Sequence, residues 1–266
     1  MAAGDPHQTT GQLVIQMTPS APQISRRGIL AGLAATAVSA CSAPTHVTMA
    51  TQSIPQPDPL ARFRLLASAS SEEWAKHLQA PATGNSLSVL ALSGGGEDGA
   101  FGAGALAGWT ASGTRPDFDM VTGISTGALI APFAFLGSRH DDALHRIFTQ
   151  HDAGDIMTLQ PLKAPFSDAL YDTTPLARLI EDFTPTALLE DIADRHATGG
   201  RLFVVTSDLD RSRAVVWNMG EIALSGQYDL FRGILRASAA LPGLFSPVTL
   251  EYTVEGITYR ESHLDG

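Results

Sequence analysis

The sequence predicts an α/β domain built on a mostly parallel sheet, and three observations carry that reading. Two short apolar runs, 87–93 and 120–122, each lead into a glycine-rich turn and then a helix-length stretch. That strand, turn, helix order belongs to parallel sheets whose functional loops lie at the strand C-termini. A further continuous apolar run, 202–206, reads as another strand. The chain of 266 residues is 44% hydrophobic and shows no repeat at a solenoid period, so one sizeable core is expected.

The first 40 residues stand apart. Residues 1–24 are polar and irregular, and Arg26-Arg27 is followed by small and apolar residues up to Ala40, a pattern similar to a twin-arginine export signal. The apolar run 28–40 is well short of the roughly 20 residues that span a bilayer as a helix. Val38-Ser39-Ala40-Cys41 resembles a bacterial lipobox, which makes Cys41 the expected lipidation site and the new N-terminus after cleavage. An ordinary free cysteine after an unrelated apolar run is the plain alternative. Met17 is a second candidate start. The expectation is an exported lipoprotein, held by its acyl anchor on the periplasmic or outer side of a bacterial cell envelope.

Residues 41–85 read as a tether with a short helical segment. Pro, Thr, Ser and Gln dominate up to Pro59, and Phe63, Leu65, Leu66 and Trp74 suggest one or two short helices within 60–78. The domain proper is assigned to 86–266. After the strand at 87–93, a helix begins at Gly99 with an unusually small face, Ala100 to Leu106, able to press closely on a sheet. The strand at 120–122 leads into a helix over 126–136, and another helix spans 141–151. Residues 153–171 read as an irregular surface loop, with the border of a substrate entrance as the alternative. Helices follow over 174–183 and 185–196, strands over 202–206 and 214–217, a helix over 228–240, and a hairpin from 248–252 and 257–260.

Composition excludes some functions. The net charge of −10 and the absence of any Lys/Arg run argue against a nucleic-acid partner. A single cysteine excludes an internal disulfide framework and a cysteine-based zinc site. No cofactor or metal is expected.

Two patterns carry chemistry. Gly123-Ile124-Ser125-Thr126-Gly127 is GxSxG between a strand and a helix, the context of a nucleophile elbow with Ser125 as nucleophile. The elbow aims the N–H of Thr126 and the helix N-terminus towards the serine. Ser93-Gly94-Gly95-Gly96-Glu97-Asp98-Gly99 lacks the Lys-Ser or Lys-Thr pair of a phosphate-binding loop. It does satisfy GxGxxG through Gly94, Gly96 and Gly99, with Asp117 and Asp119 downstream as candidate ribose acids, so a dinucleotide site stands as a rival. In the other reading the N–H groups of Gly95 and Gly96 form an oxyanion hole, each donor worth about 3 kcal/mol in the transition state.

The proton acceptor decides the mechanism. His140, His145, His151 and His196 fall beside or at the ends of polar-faced helices and are expected to face solvent. His263, preceded by Asp208 or Asp210, completes a triad in the order of an α/β-hydrolase. Asp265 is the alternative, a carboxylate that takes the serine proton directly if burial raises its basicity.

Taken in order, Ser93 to Gly104, Gly123 to Gly127 and Asp265-Gly266 resemble the glycine-rich loop, GxSxG elbow and terminal Asp-Gly motif of patatin-like phospholipases. The run from Arg236 to Gly243 is similar to the family's segment before that motif. The resemblance covers the chain from about Ser86 onwards. It implies a three-layer α/β/α fold and a serine lipid acyl hydrolase acting on phospholipids or related lipids. It also implies Ser125 as nucleophile, Asp265 as its partner without a histidine, and Gly94, Gly95, Gly96 and Thr126 around the oxyanion. Gly99, Gly123, Gly127 and Gly266 are the remaining motif positions. Two departures stand out: the family usually carries Lys or Arg where this chain has Glu97-Asp98, and the chain stops one residue short of the full terminal motif, which suggests truncation. A catalytically silent lipid-binding lipoprotein is therefore the alternative function.

Overall fold

The computed structural model describes residues 15–16, 58–78, 87–150, 158–159, 171–255 and 257–266. The first 40 residues apart from 15–16, Cys41, the linker up to residue 57, the loop 79–86, His151 and most of 153–171 lie outside the described residues. In chain order the strands are β1 (Ile15–Gln16), β2 (Arg64–Leu66), β3 (Val89–Leu92), β4 (Met120–Ile124), β5 (Thr158–Leu159), β6 (Tyr171–Asp172), β7 (Arg201–Asp208), β8 (Arg213–Asn218), β9 (Val248–Val254) and β10 (Ile257–Asp265). The helices are α1 (Ser71–Leu78), α2 (Gly99–Ala111), α3 (Thr126–Leu136), α4 (Asp141–Gln150), α5 (Thr174–Phe183), α6 (Thr186–Ala197), α7 (Met219–Leu224) and α8 (Tyr228–Ser238).

The fold is α/β, but the sheet is not mostly parallel. Among the described residues only β3 with β4 and β4 with β7 pair in parallel. β8 lies antiparallel to β7 and β2 antiparallel to β8, while β10 and β9 extend the sheet antiparallel and β1 pairs with β9. The physical reason is the connections. Helical crossovers return the chain in the same sense from β3 through β7, whereas β7 to β8 and β9 to β10 are joined by short turns that force reversal. Residues 64–66, expected to be helical, form β2 because the exposed edge of β8 offers backbone partners that local propensity cannot outweigh.

β7 organises the sheet. Its residues from Arg201 to Val205 pair with β4 on one edge, and Thr206 to Asp208 pair with β10 further along that same edge. β8 fills the opposite edge. Two strands running in opposite directions therefore meet end to end beside β7, β4 stopping at Val205 and β10 at Thr206.

One face of the sheet carries the main core. α3, with no charged residue, is buried almost throughout and lies against β4 and β7, with Val121, Val204, Trp217 and Phe231 around it. The other face has a smaller cluster of Leu65, Phe203 and Val216, covered among the described residues by α1, whose Trp74 meets Phe203 edge to face at 6.0 Å.

Candidate active site

Ser125 lies at the tight turn from β4 into α3 and adopts φ 54°, ψ −130°, a conformation that costs a non-glycine residue energy and is held only by tight surroundings. Those surroundings explain the glycines. A Cβ on Gly123 would sit 2.5 Å from the Gly127 carbonyl oxygen, and one on Gly127 would collide with the Leu92 carbonyl. A Cβ on Gly94 would lie 2.7 Å from Ser125 Cβ, and one on Gly99 would run into the Thr126 side chain. The elbow and the glycine loop are thus packed backbone to backbone, which only glycine permits.

Ser125 Oγ donates a 2.7 Å hydrogen bond to Asp265 Oδ2. Strand register produces this contact. Ile124 pairs with Val205 and Asp265 pairs with Thr206, so the residue after β4 and the last residue of β10 arrive at neighbouring positions along β7. Asp265 is fixed further by its N–H on the Ala240 carbonyl at 3.0 Å and by Leu264 packed with Ala240 and Phe245. Gly266 leaves room for nothing larger, since a Cβ there would be 2.8 Å from Ile124 Cδ1. Burial pushes the Asp265 carboxyl above the usual aspartate range, against the opposing pull of the hydrogen bonds from Ser125 and the Gly266 N–H. Ser125 is itself 7% exposed. A hydroxyl held on a partly buried, more basic carboxylate is an arrangement suited to proton removal during attack.

The glycine loop crosses the front of this pair. Gly96 has φ +55°, and one turn of 3₁₀ helix over Gly96–Asp98 carries the chain into α2. Thr126 Oγ1 donates to the Gly96 carbonyl at 2.8 Å, tying loop to elbow. The N–H groups of Gly94, Gly95, Gly96 and Thr126 meet no acceptor among the described residues. The Ser125 N–H, by contrast, is bound to Ser238 Oγ at 3.0 Å and is no oxyanion donor.

Ser238 is the residue that sequence reasoning missed. At the end of α8 it takes the Ser125 N–H and donates to the Val205 carbonyl at 2.7 Å, clamping the elbow to β7. Its signals were its place in the small-residue run Ala237-Ser238-Ala239-Ala240 closing a helix and in the segment Arg236 to Gly243 that is similar to the family's, neither of which assigns it a role.

The alternative residues are elsewhere engaged. His263 is fully buried, with Nδ1 3.0 Å from Thr206 Oγ1 and Nε2 3.5 Å from Glu261 Oε2. Asp208 is ion-paired with Arg211 at 2.7 Å, and Asp210 accepts the Ser262 N–H. Among the described residues no serine, histidine, acid triad is assembled around Ser125. Asp119 takes the Ser88 N–H at 2.8 Å, at the starts of β3 and β4, so it and Asp117 lie at the end of the sheet away from the glycine loop and cannot serve a ribose there. His145 is exposed as expected, but His196 is buried against Gly220 with Nε2 3.2 Å from Glu221. Among the described residues no cluster of His, Cys, Asp or Glu is placed to hold a metal ion, and no helix is long and apolar enough to cross a membrane.

No curated protein matches the chain. The family model of patatin-like phospholipases matches residues 90–266, from the strand before the glycine loop through Asp265-Gly266. With well over half its length matched, and all three motifs inside the match, this chain belongs to the patatin-like phospholipase family.

Proposed function

We propose that this protein hydrolyses carboxylic ester bonds of phospholipids or related lipids through a Ser125/Asp265 dyad. Asp265 accepts the proton of Ser125 as its Oγ attacks the acyl carbonyl. The N–H groups of Gly94, Gly95, Gly96 and Thr126 take the charge that develops on the carbonyl oxygen. Collapse of the tetrahedral intermediate releases the alcohol, protonated by Asp265, and leaves an acyl-enzyme on Ser125. Water, deprotonated by Asp265, then frees the fatty acid. The chemistry uses only protein groups. Export and anchoring through an acylated Cys41, and the full three-layer α/β/α arrangement, belong to the same proposal.

The observation that carries it is the 2.7 Å hydrogen bond from Ser125 Oγ to Asp265 Oδ2, beside a glycine loop whose N–H groups meet no acceptor among the described residues. The exposed pair Glu97-Asp98, next to that loop, favours the second reading of a silent lipid-binding protein, because negative charge there opposes a forming oxyanion. A fluorophosphonate probe separates the two. Labelling of the parent and not of Ser125→Ala, together with hydrolysis of p-nitrophenyl butyrate, supports the hydrolase; a folded parent that takes no label supports the silent binder.

A further inference from the structure

The first turn of α2 is Gly99, packed on Thr126 of the elbow, so α2 starts at the rim of the Ser125 site. Its outward face is apolar. Phe101 is 82% exposed and Trp109 40% exposed, and with Ala105 between them they form a stripe at one-face spacing. From residue 99 to 114 the chain has no charged side chain, which is unusual for a solvent-facing helix. Immediately before it stand Glu97 and Asp98, both exposed and neither ion-paired among the described residues.

We infer that the outer face of α2, led by Phe101 and Trp109, is the surface by which this protein docks on uncharged lipid interfaces. The choice of a lipid surface as occupant rests on the acyl-hydrolase reading: a substrate that resides in a bilayer must reach a serine at the base of the loop from which α2 springs. Two features of the surface narrow the lipid. Aromatic side chains on a charge-free helix enter the headgroup boundary without desolvating any ion. The Glu97-Asp98 pair and the net charge of −10 oppose an anionic surface, whose potential draws basic and not acidic segments. The matching interface is therefore zwitterionic or neutral. Phe101 acts here as a docking residue and takes no part in the chemistry.

The test uses the full chain carrying Cys41→Ser, so that no acyl anchor contributes, with phosphatidylcholine vesicles and vesicles containing phosphatidylglycerol. Phe101→Asp should weaken partitioning onto phosphatidylcholine about tenfold or more, the scale expected from one exposed aromatic side chain. Hydrolysis of vesicle lipid should fall in parallel, and hydrolysis of monomeric p-nitrophenyl butyrate should stay unchanged. Trp109 fluorescence should shift to the blue on binding. Phosphatidylglycerol should weaken binding at low salt, and Glu97→Gln with Asp98→Asn should relieve that penalty. Equal partitioning of parent and Phe101→Asp overturns the inference, as does tighter binding to anionic vesicles. Self-association that Phe101→Asp abolishes, without vesicle binding by the parent, also overturns it and gives the face to a second copy. Vesicle binding that depends on Phe101 in a parent inactive on the monomeric ester would remove the hydrolase reading and leave the docking face standing.

Discussion

Two carboxylates on β10 sit four residues apart on the same face of one strand, and their surroundings push them in opposite directions. Asp265 meets a hydroxyl and a backbone N–H, and burial raises it. Glu261 is fully buried, so burial alone would raise it too. Hydrogen bonds from His263, Arg64 and Tyr252, with the Arg64 charge, instead hold it well below the usual glutamate range. Arg64 reaches Glu261 Oε1 at 3.0 Å and also pairs with Asp58, while Tyr252 donates to Glu261 at 2.6 Å. The difference lies in the partners. A carboxylate that stays ionised because cations and donors surround it serves the fold; one left with weak donors keeps enough basicity to accept a proton.

That contrast predicts separable losses. Asp265→Asn should cut the kcat for p-nitrophenyl ester hydrolysis by roughly 10³-fold or more while leaving thermal stability near the parent's, because an amide can still take the Ser125 hydrogen bond without accepting its proton. Glu261→Gln should do the reverse. It leaves Arg64 short of its buried partner and should cost about 3 to 5 kcal/mol in urea unfolding, with kcat of the folded protein changed little.

The two groups also give opposite pH signatures. The folded value of Glu261 is below its unfolded one, so its stabilising contribution is complete above the ordinary glutamate range and is lost as pH falls below it. The stability gap between parent and Glu261→Gln should therefore narrow in acid. Asp265 is raised, so its ionised, proton-accepting form disappears as pH falls through a value above the ordinary aspartate range. The acid limb of kcat/KM should sit correspondingly high, and a limb at an ordinary aspartate value would contradict the burial argument.

Ser238→Ala gives the smallest of these effects. It strands the Ser125 N–H and should cost about 1 to 2 kcal/mol of stability and about tenfold in kcat, with KM nearly unchanged, since the elbow shifts while the substrate surface does not. A rise in KM with kcat intact would argue against a positioning role.

The contrast also shows what was legible beforehand. Ser125 and the glycines are named by local motifs, because a strained elbow and a close backbone approach leave marks within a few residues; Asp265 stood level with His263 until the family resemblance favoured it. Most helices were visible in their apolar spacing. The β9–β10 hairpin was legible too, but the antiparallel pairings of β2 with β8 and of β10 with β7 were not, since they depend on edges that only the folded sheet creates. His263 looked like a base from chain order alone. Its engagement with Thr206 and Glu261 depends on residues 57 and 2 positions away and on Arg64 beyond them, which no local pattern encodes. Ser238 stayed hidden for the same reason, its partner lying 113 residues upstream.

The most direct test of the dyad compares fluorophosphonate labelling rates of Asp265→Asn and His263→Asn, each verified as folded by circular dichroism. Slowing by roughly 10²-fold or more in Asp265→Asn, with His263→Asn within about threefold of the parent, is the predicted result. Normal labelling of Asp265→Asn, with labelling lost in His263→Asn, would contradict the account and make the histidine the base.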